Sequence, residues 1–309
     1  MTVIFLNALI FVAVGIAVGL AVYIRRSGRL ARLFLALPAR TRRTLIANPS
    51  QLRLGGETRT ITYLSCRIAN APEIEQAFRE HPAHLIRLFE KRVGALYEAV
   101  LAHGGTVERF GSAGFAAYWN APLGNGEHAV QAMGAATRMM GVIRDQNAMT
   151  TLRPAAITTP PLQLAIGMAT GSAACGLFGG VYSVSGACVP RAEELRAACA
   201  EYGFTALADA ETAVQAAQRY ALLEIDRPAR GTDETAAIYA LLGDQGVRAS
   251  PTFRALATFH ERIFAAFEAQ DFAQARALIA QAANLSGASA KLYDLYLMRD
   301  LRGPLRAAS

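Results

Sequence analysis

Apolar residues recur along this chain in patterns that predict different kinds of element. The first is a run at residues 3–24 that contains no charged side chain. At about 1.5 Å per helical residue, such a run is long enough to cross a bilayer core of about 30 Å. It is longer than the apolar part of a signal peptide, and no basic segment precedes it. We therefore expect residues 1–24 to form a single transmembrane helix.

The middle of the chain alternates between strand and helix patterns. Residues 60–64 have the two-residue period of a strand, whereas residues 73–101 have the three- and four-residue spacing of helices that cover a sheet, with a break near Pro82. Further strands are predicted at 106–110, 114–119, 162–168 and 173–178, helices at 127–144 and 191–202, and a Thr-, Pro- and Ala-rich loop at 146–161. Strands covered by helices predict an α/β sandwich over residues 57–245.

The last part of the chain, residues 246–309, changes character. Ala-rich amphipathic helices are predicted at 251–270, 272–284 and 288–301, and the first two resemble one tetratricopeptide-like helical pair. A single pair cannot bury its own apolar face. We expect this tail to dock on the preceding domain. The alternative is that it offers a free surface to another protein.

Positive charge is concentrated in the connector at residues 25–56. The chain has a formal net charge of +7, and between Arg25 and Arg59 there are nine arginines against one acid, Glu57. By the positive-inside rule, this asymmetry places the following domain on the cytoplasmic side of the membrane. Anionic lipids are the expected partners of four of these arginines, Arg25, Arg26, Arg29 and Arg32. The remaining chain has no net basic character, which argues against nucleic-acid binding.

The composition offers few candidate reactive residues, but the sequence contains several informative motifs. The four cysteines form no CxxC pair, and we expect them to be reduced, buried hydrophobic side chains.

Residues 104–122 read GGTVERFGSAGFAAYWNAP, which resembles the metal-binding hairpin of the class III adenylate/guanylate cyclases, typically GGTVDKFIGDAVMAFWNAP. Residues 166–171 (IGMATG), 176–179 (GLFG) and 238–243 (IYALLG) are similar, in order, to the family's IGINTG, GNIG and IYELLG. The resemblance implies the family's ferredoxin-like catalytic fold.

The same resemblance implies which residues stand at the family's catalytic positions. Its two metal-binding aspartates fall on Arg67 and Ala113, and neither side chain supplies the oxygen ligands that Mg²⁺ requires. Its ribose-orienting asparagine falls on Pro190, and its transition-state arginine on Glu194, where the charge is reversed. The residues that read the purine base fall on Arg109 and Ser183, which keep similar chemistry. We therefore expect no metal and no cofactor.

Cyclases of this family act as dimers with the active site at the interface, and this chain lacks the key residues of both half-sites. We interpret it as an inactive homologue that serves as a scaffold or accessory subunit of an inner-membrane complex. Its partner would be another membrane protein, and a homodimer also fits. Two alternatives stay open: a nucleotide sensor that binds through Arg109 and Ser183 without turnover, and a residual cyclase that makes cyclic AMP with unusual ligands.

Overall fold

The computed structural model describes residues 56–111, 113–152, 160–178, 181–227, 237–285 and 289–302, together with Gly19, Arg43 and Ala47. Apart from Gly19, the predicted transmembrane helix at residues 1–24 lies outside the described residues, as do Arg25, Arg26, Arg29 and Arg32, the arginines expected to face lipid. Within the described part of the chain, no helix combines the length and the apolar character needed to span a bilayer.

Strands and helices alternate through the domain and give way to helices alone in the tail. In chain order they are β1 (Glu57–Ile68), α1 (Ala71–Ala77), α2 (Pro82–Ala102), β2 (Thr106–Gly111), β3 (Gly114–Trp119), α3 (His128–Leu152), β4 (Leu164–Phe178), β5 (Val181–Ser185), α4 (Cys188–Tyr202), β6 (Ala206–Asp209), α5 (Ala210–Ala216), β7 (Ala221–Asp226), β8 (Ile238–Gly243), α6 (Gln245–Ala249), α7 (Pro251–Glu268), α8 (Phe272–Ala282) and α9 (Ala290–Arg302).

The described strands form one eight-stranded sheet in the order β2-β3-β1-β4-β6-β8-β7, with β5 paired to β4 outside this path. The β4–β6 pair is parallel and the other pairs are antiparallel. Strand β1 lies inside the sheet between β3 and β4. The predicted α/β sandwich is thus confirmed.

The two-residue period of β1 sends its side chains into two separate cores. Ile61 and Tyr63 belong to the core shared with α4 and the C-terminal helices. Leu64, Cys66 and Ile68 belong to the core on the opposite face, which α2 and α3 cover. Successive side chains of a strand point to opposite faces, and the middle of β1 is buried on both faces of the sheet. The two polar residues at its end on the α4 face, Ser65 and Arg67, therefore stand out.

In the segment from α3 to β4, two sequence predictions about element boundaries were wrong. In the loop predicted at 146–161, residues 146–152 are helical, because α3 continues to Leu152 and its Thr-rich end contains no glycine or proline to stop it. The two strands predicted at 162–168 and 173–178 are one strand, β4, because the N-terminal half of β1 pairs with the residues between them, as in Ile61↔Gly171 and Thr60↔Ser172.

The C-terminal helices pack on the domain that precedes them. Leu256 and Ile263 of α7 and Leu278 of α8 lie in the same apolar core as Ile225 of β7. Polar contacts reinforce this packing, since the Tyr296 hydroxyl donates a hydrogen bond to the Ile225 carbonyl oxygen. The expectation that the tail docks on its own domain is confirmed, whereas its tetratricopeptide-like character stays a prediction.

Candidate functional site

Helix α4 lies unusually close to the centre of the sheet because β4 has a glycine beneath it. A Cβ atom on Gly167 would lie 2.0 Å from the Ala192 carbonyl oxygen and 2.3 Å from the Arg196 backbone nitrogen. Any side chain at this position would therefore push the helix away from the sheet. The close approach brings Arg196 over β1, where its Nε atom donates a hydrogen bond of 3.0 Å to Ser65 Oγ.

Small residues surround the end of β1 on the face that α4 covers. Ser65 pairs with Ala116 on one side and Gly167 on the other, and Arg67 pairs with Gly114 and Ala165. With so few side-chain atoms in this row, a hollow of about 360 Å³ remains. We call it the Arg67 hollow; its lining includes Ser65, Arg67, Gly111, Gly114 and Ala116 from the strands, Ala113 from the turn between β2 and β3, and Glu193 and Arg196 from α4.

The structure brings together the two positions that the sequence assigned to the metal. Arg67 and Ala113 both line the Arg67 hollow, and the Ile68 N–H donates a hydrogen bond of 2.8 Å to the Ala113 carbonyl oxygen. Ala113 is buried and Arg67 is exposed. The described lining residues do not fit a divalent metal, because Glu193 is the one carboxylate among them and two guanidinium groups accompany it. Among all described residues, no group of three His, Cys, Asp or Glu could hold a metal ion.

Glu193 and Arg196 were missed in the sequence. The buried stripe of α4 includes Ala192, Leu195 and Cys199, and Arg196 follows Ala192 by one helical turn. A charged residue on the inward side of a helix is a signal that it has a polar environment there. The sequence did not reveal that Ser65 is the polar partner of Arg196, because Ser65 lies far away in the chain.

Pro190 and Glu194 do not join the hollow. Helix α4 begins at Cys188, earlier than predicted, because a proline is tolerated in the first helical turn. Glu194 is half-exposed and forms an ion pair of 3.3 Å with Arg191, one turn before it. Neither Pro190 nor Glu194 is among the residues that line the Arg67 hollow. The positions assigned to the metal and those assigned to the ribose and the transition state are therefore separate on a single chain.

Ser183 has a structural partner in this chain. Its hydroxyl donates a hydrogen bond to Glu108 Oε1, and the Val184 N–H approaches the same oxygen at 3.3 Å. The other carboxylate oxygen of Glu108 accepts a hydrogen bond of 2.7 Å from the Tyr63 hydroxyl. Ser183 thus helps to hold β5 against β1 and β2. The side chain of Arg109, its predicted companion in base reading, lies outside the described residues.

Glu108 is a second residue that the sequence did not identify. It falls at a β-bulge, where the β2–β3 register shifts between Val107 and Arg109. Its partners come from β1 and β5, so nothing in the local pattern could have indicated them. The carboxylate satisfies donors from both strands at once, which is typical of a buried polar group that fixes a single arrangement of its neighbours.

We expect Ser183→Ala to lower the free energy of unfolding by about 1 kcal/mol, because Glu108 loses a hydrogen-bond donor in a half-buried setting. Urea unfolding followed by the fluorescence of Trp119, the one tryptophan of the sequence, measures this change. Ser185→Ala is the matched control, since Ser185 lies on the same strand and is exposed. Equal stability of the two variants would contradict a structural role for Ser183.

A second polar cluster, on the α3 side of the sheet, is also structural. Thr62 Oγ1 lies 2.7 Å from His128 Nδ1 and 2.8 Å from Thr170 Oγ1. Thr170 continues the chain to Thr212 at 2.8 Å, and the Asp209 carboxylate accepts hydrogen bonds from the backbone N–H groups of Thr170 and Thr212. Burial raises the pKa of Asp209 and lowers that of His128. These groups satisfy one another and cap helix α5.

The cysteines behave as the composition predicted. Cys66, Cys175, Cys188 and Cys199 are all buried and form no disulfide. Burial raises the pKa of each thiol, to about 11 for Cys175, Cys188 and Cys199. A buried thiol with a raised pKa carries little thiolate at neutral pH, so none of the four has the character of a nucleophile.

Comparison with known proteins finds solved structures with a similar fold. No family model matches the sequence, and no curated protein matches it. Among solved structures, the guanylyl cyclase Cya2 is similar with a TM-score of 0.51 and 21% identity, over 61% of this chain and 94% of that one. The adenylyl cyclase CyaB from P. aeruginosa has a TM-score of 0.50 and 19% identity, over 60% and 95%. A bacterial light-regulated adenylyl cyclase has a TM-score of 0.52 and 16% identity, over 72% and 63%. The fold implied by the sequence resemblance is confirmed.

Proposed function

We propose that this chain, which has the fold of class III adenylyl and guanylyl cyclase catalytic domains, does not cyclise nucleotides. We propose instead that it is a membrane-anchored scaffold or accessory subunit of a protein complex at the bacterial inner membrane. The fold alone does not decide between activity and inactivity, because functions reside in sites that one fold can carry or lack. The argument therefore rests on the site.

The observation that carries the proposal is the charge of the Arg67 hollow. Arg67 and Arg196 place two guanidinium cations where the resemblance puts two catalytic metal ions. Transfer of a phosphoryl-type group depends on positioning and on neutralising charge, largely through metal ions. Without a carboxylate at position 67 or 113, the described lining of the hollow keeps one carboxylate, that of Glu193, which supplies too few oxygen ligands to hold those ions.

The second half-site supports the same conclusion. At the position that the resemblance assigns to the transition-state arginine, Glu194 carries a negative charge and pairs with Arg191. A carboxylate there would repel a developing phosphate charge rather than stabilise it. Pro190, at the asparagine position, has neither a side-chain donor nor a backbone N–H to offer. A copy of this chain could therefore complete neither half of a partner's active site.

The membrane location and the partner are proposed from the sequence. The apolar run at 3–24 and the arginine-rich connector favour a single-pass anchor whose basic residues, including Arg25 and Arg26, face anionic lipids. Retention of a folded domain without catalytic ligands favours a binding role. The tail adds surface to that domain through its own docked helices, and a homodimer is compatible with all of these features.

Mild detergent purification of the full chain from its native membrane tests the proposed role. We expect one or more membrane proteins to co-purify in a fixed ratio and to remain bound at the salt concentration of the cytoplasm. Recovery as an isolated monomer or homodimer would contradict the subunit role. A control chain that keeps residues 1–56 but carries an unrelated soluble domain distinguishes partners of the anchor from partners of the folded domain.

The nucleotide-sensor alternative depends on Arg109 and Ser183. The engagement of Ser183 with Glu108 weighs against it, since that hydroxyl would have to exchange a protein partner for a base. Calorimetric titration of the full chain with ATP, GTP and cyclic nucleotides decides the question. Saturable binding that Ser183→Ala weakens would favour the sensor over the scaffold.

A further inference from the structure

The Arg67 hollow has the composition of an anion site. Its floor is made of small residues, among them Gly111 and Gly114, which contribute volume but no competing polar side chain. Among its described lining residues, the charged side chains are the guanidinium groups of Arg67 and Arg196 and the carboxylate of Glu193. The excess of one positive charge, in a concave place between a helix and a sheet, favours anions over cations.

Arg196 is held in place before any ligand arrives. One of its N–H groups is used in the bond to Ser65, and helix α4 is fixed against the sheet by the close approach over Gly167. A guanidinium group has five N–H donors, and the described residues take no other hydrogen bond from Arg196. Its terminal nitrogen atoms are therefore available in an orientation that the protein has already fixed, which lowers the entropic cost of binding.

Arg67 supplies the second cation from the strand side. It is exposed, and within the described part of the chain it forms no ion pair or side-chain hydrogen bond. Its strand neighbours Gly114 and Ala165 have no side chain that could engage it. Two arginines that approach one hollow from a strand and from a helix present planar, branched donors of the kind that recognise phosphate oxygens in pairs.

We propose that the Arg67 hollow binds a compact phosphate-bearing anion, of about the size of pyrophosphate, directly and without a divalent metal ion. A volume of about 360 Å³ is at the small end of ligand sites, which suits a phosphate group better than a whole nucleotide. Arg67 and Arg196 bind the oxygens, and Glu193 weakens the site by repulsion. The proposal goes beyond the scaffold role, which requires no ligand.

Calorimetric titration of the full chain in detergent with pyrophosphate, in the presence of EDTA, tests the proposal. We expect saturable binding that weakens as salt increases, as it does for contacts between arginine and phosphate. Arg67→Gln should lower the affinity about tenfold or more, because a charge-assisted hydrogen bond is lost, whereas Glu193→Gln should raise it. Arg138→Gln is the matched control, since Arg138 is exposed on α3 at the other face of the sheet.

Three outcomes would overturn the proposal: no saturable binding to the unmodified chain, binding that requires added Mg²⁺, or equal losses in Arg67→Gln and Arg138→Gln. Arg67→Gln is the decisive variant, because Arg67 is exposed and its replacement should not affect folding. ATP, titrated in parallel, identifies the source of the phosphate. ATP binding that is tighter than that of pyrophosphate and depends on Arg67 assigns the hollow to a nucleotide's phosphates; weaker ATP binding assigns it to the free anion. Neither result depends on the absence of cyclase activity, which is measured separately.

Discussion

Replacing Leu256 by alanine is expected to lower the free energy of unfolding by about 2–5 kcal/mol, the usual cost of truncating a fully buried leucine. Leu256 belongs to α7 in the C-terminal tail and has no exposed surface. Its core includes Leu223 and Ile225 of β7 as well as Tyr202 of α4. The effect should therefore reach the cyclase-like domain and not remain in the tail.

The fluorescence of Trp119 tests whether the cyclase-like domain unfolds together with the tail. Trp119 is fully buried in the core on the opposite face of the sheet, so its signal reports unfolding of the cyclase-like domain. In Leu256→Ala, the urea midpoint measured by Trp119 should fall together with the midpoint measured by circular dichroism. Met298→Ala, which changes an exposed apolar residue of the tail, should change stability by less than about 0.5 kcal/mol. A Trp119 transition that Leu256→Ala leaves unchanged would mean that the tail folds separately.

The second large effect that we expect is a loss of about 2–3 kcal/mol of stability between pH 7 and pH 4.5, caused by His260. This imidazole is 2% exposed. Its Nδ1 atom lies 3.1 Å from the Glu224 carbonyl oxygen, and its Nε2 atom lies 2.9 Å from the Tyr293 hydroxyl. Burial disfavours the charged form and lowers the pKa of His260 to about 4.

The direction of the effect follows from where the protons bind. Below pH 6.5 the imidazole of the unfolded chain takes up a proton, while His260 in the folded chain stays neutral until the pH approaches 4. Unfolding therefore binds a proton in this window, and stability falls as the pH falls through it. His128, whose pKa burial also lowers, acts in the same direction. Asp209, whose pKa burial raises, acts in the opposite one.

Comparison of variants isolates the contribution of His260. His260→Gln should be less stable than the unmodified chain at pH 7, because it disturbs the bonds to Glu224 and Tyr293, but its stability should depend less on pH between 7 and 4.5. His84→Gln, at an exposed position on α2, should keep the pH dependence of the unmodified chain. The attribution to His260 fails if His260→Gln and His84→Gln lose the same free energy over this range.

Local patterns predicted much of the fold and little of the detailed site. The period of β1 and the helical spacing after it were sufficient for the sandwich, because the residues of each element carry that information themselves. The long strand β4 was not predictable in the same way, since its continuity at Gly171 depends on pairing with Ile61. The exact end of α3 was misjudged because threonine is only a weak breaker of helices.

The candidate site, like the fold, was predictable from the sequence only in part. That Arg67 and Ala113 lie together was predictable, because the sequence resemblance aligned both positions with a known hairpin. That Arg196 points into the same hollow was not, because it depends on the absence of a side chain at Gly167 and on the hydroxyl of Ser65. The partner of Ser183 was likewise decided by tertiary structure. Contacts between distant segments are what single-sequence patterns leave out.

The positive charge of the Arg67 hollow supports both proposals made for this chain. A site that has only lost its ligands would be expected to fill with neutral or random residues. Here Arg67 and Arg196 instead place two cations around one hollow, and a hydrogen bond to Ser65 holds Arg196 there. The proposed inactivity and the proposed anion site therefore both rest on the positive charge of the Arg67 hollow. Each is tested by a different experiment.

The most direct test of the central claim is a nucleotidyl cyclase assay on the full chain. The purified protein is incubated with ATP or GTP and with Mg²⁺ or Mn²⁺, products are quantified by mass spectrometry, and an active adenylyl cyclase serves as the positive control. We predict no cyclic AMP or cyclic GMP above the level found without protein. Cyclic nucleotide that forms in proportion to the protein concentration, and that is lost in Arg67→Gln or Glu193→Gln, would contradict the account.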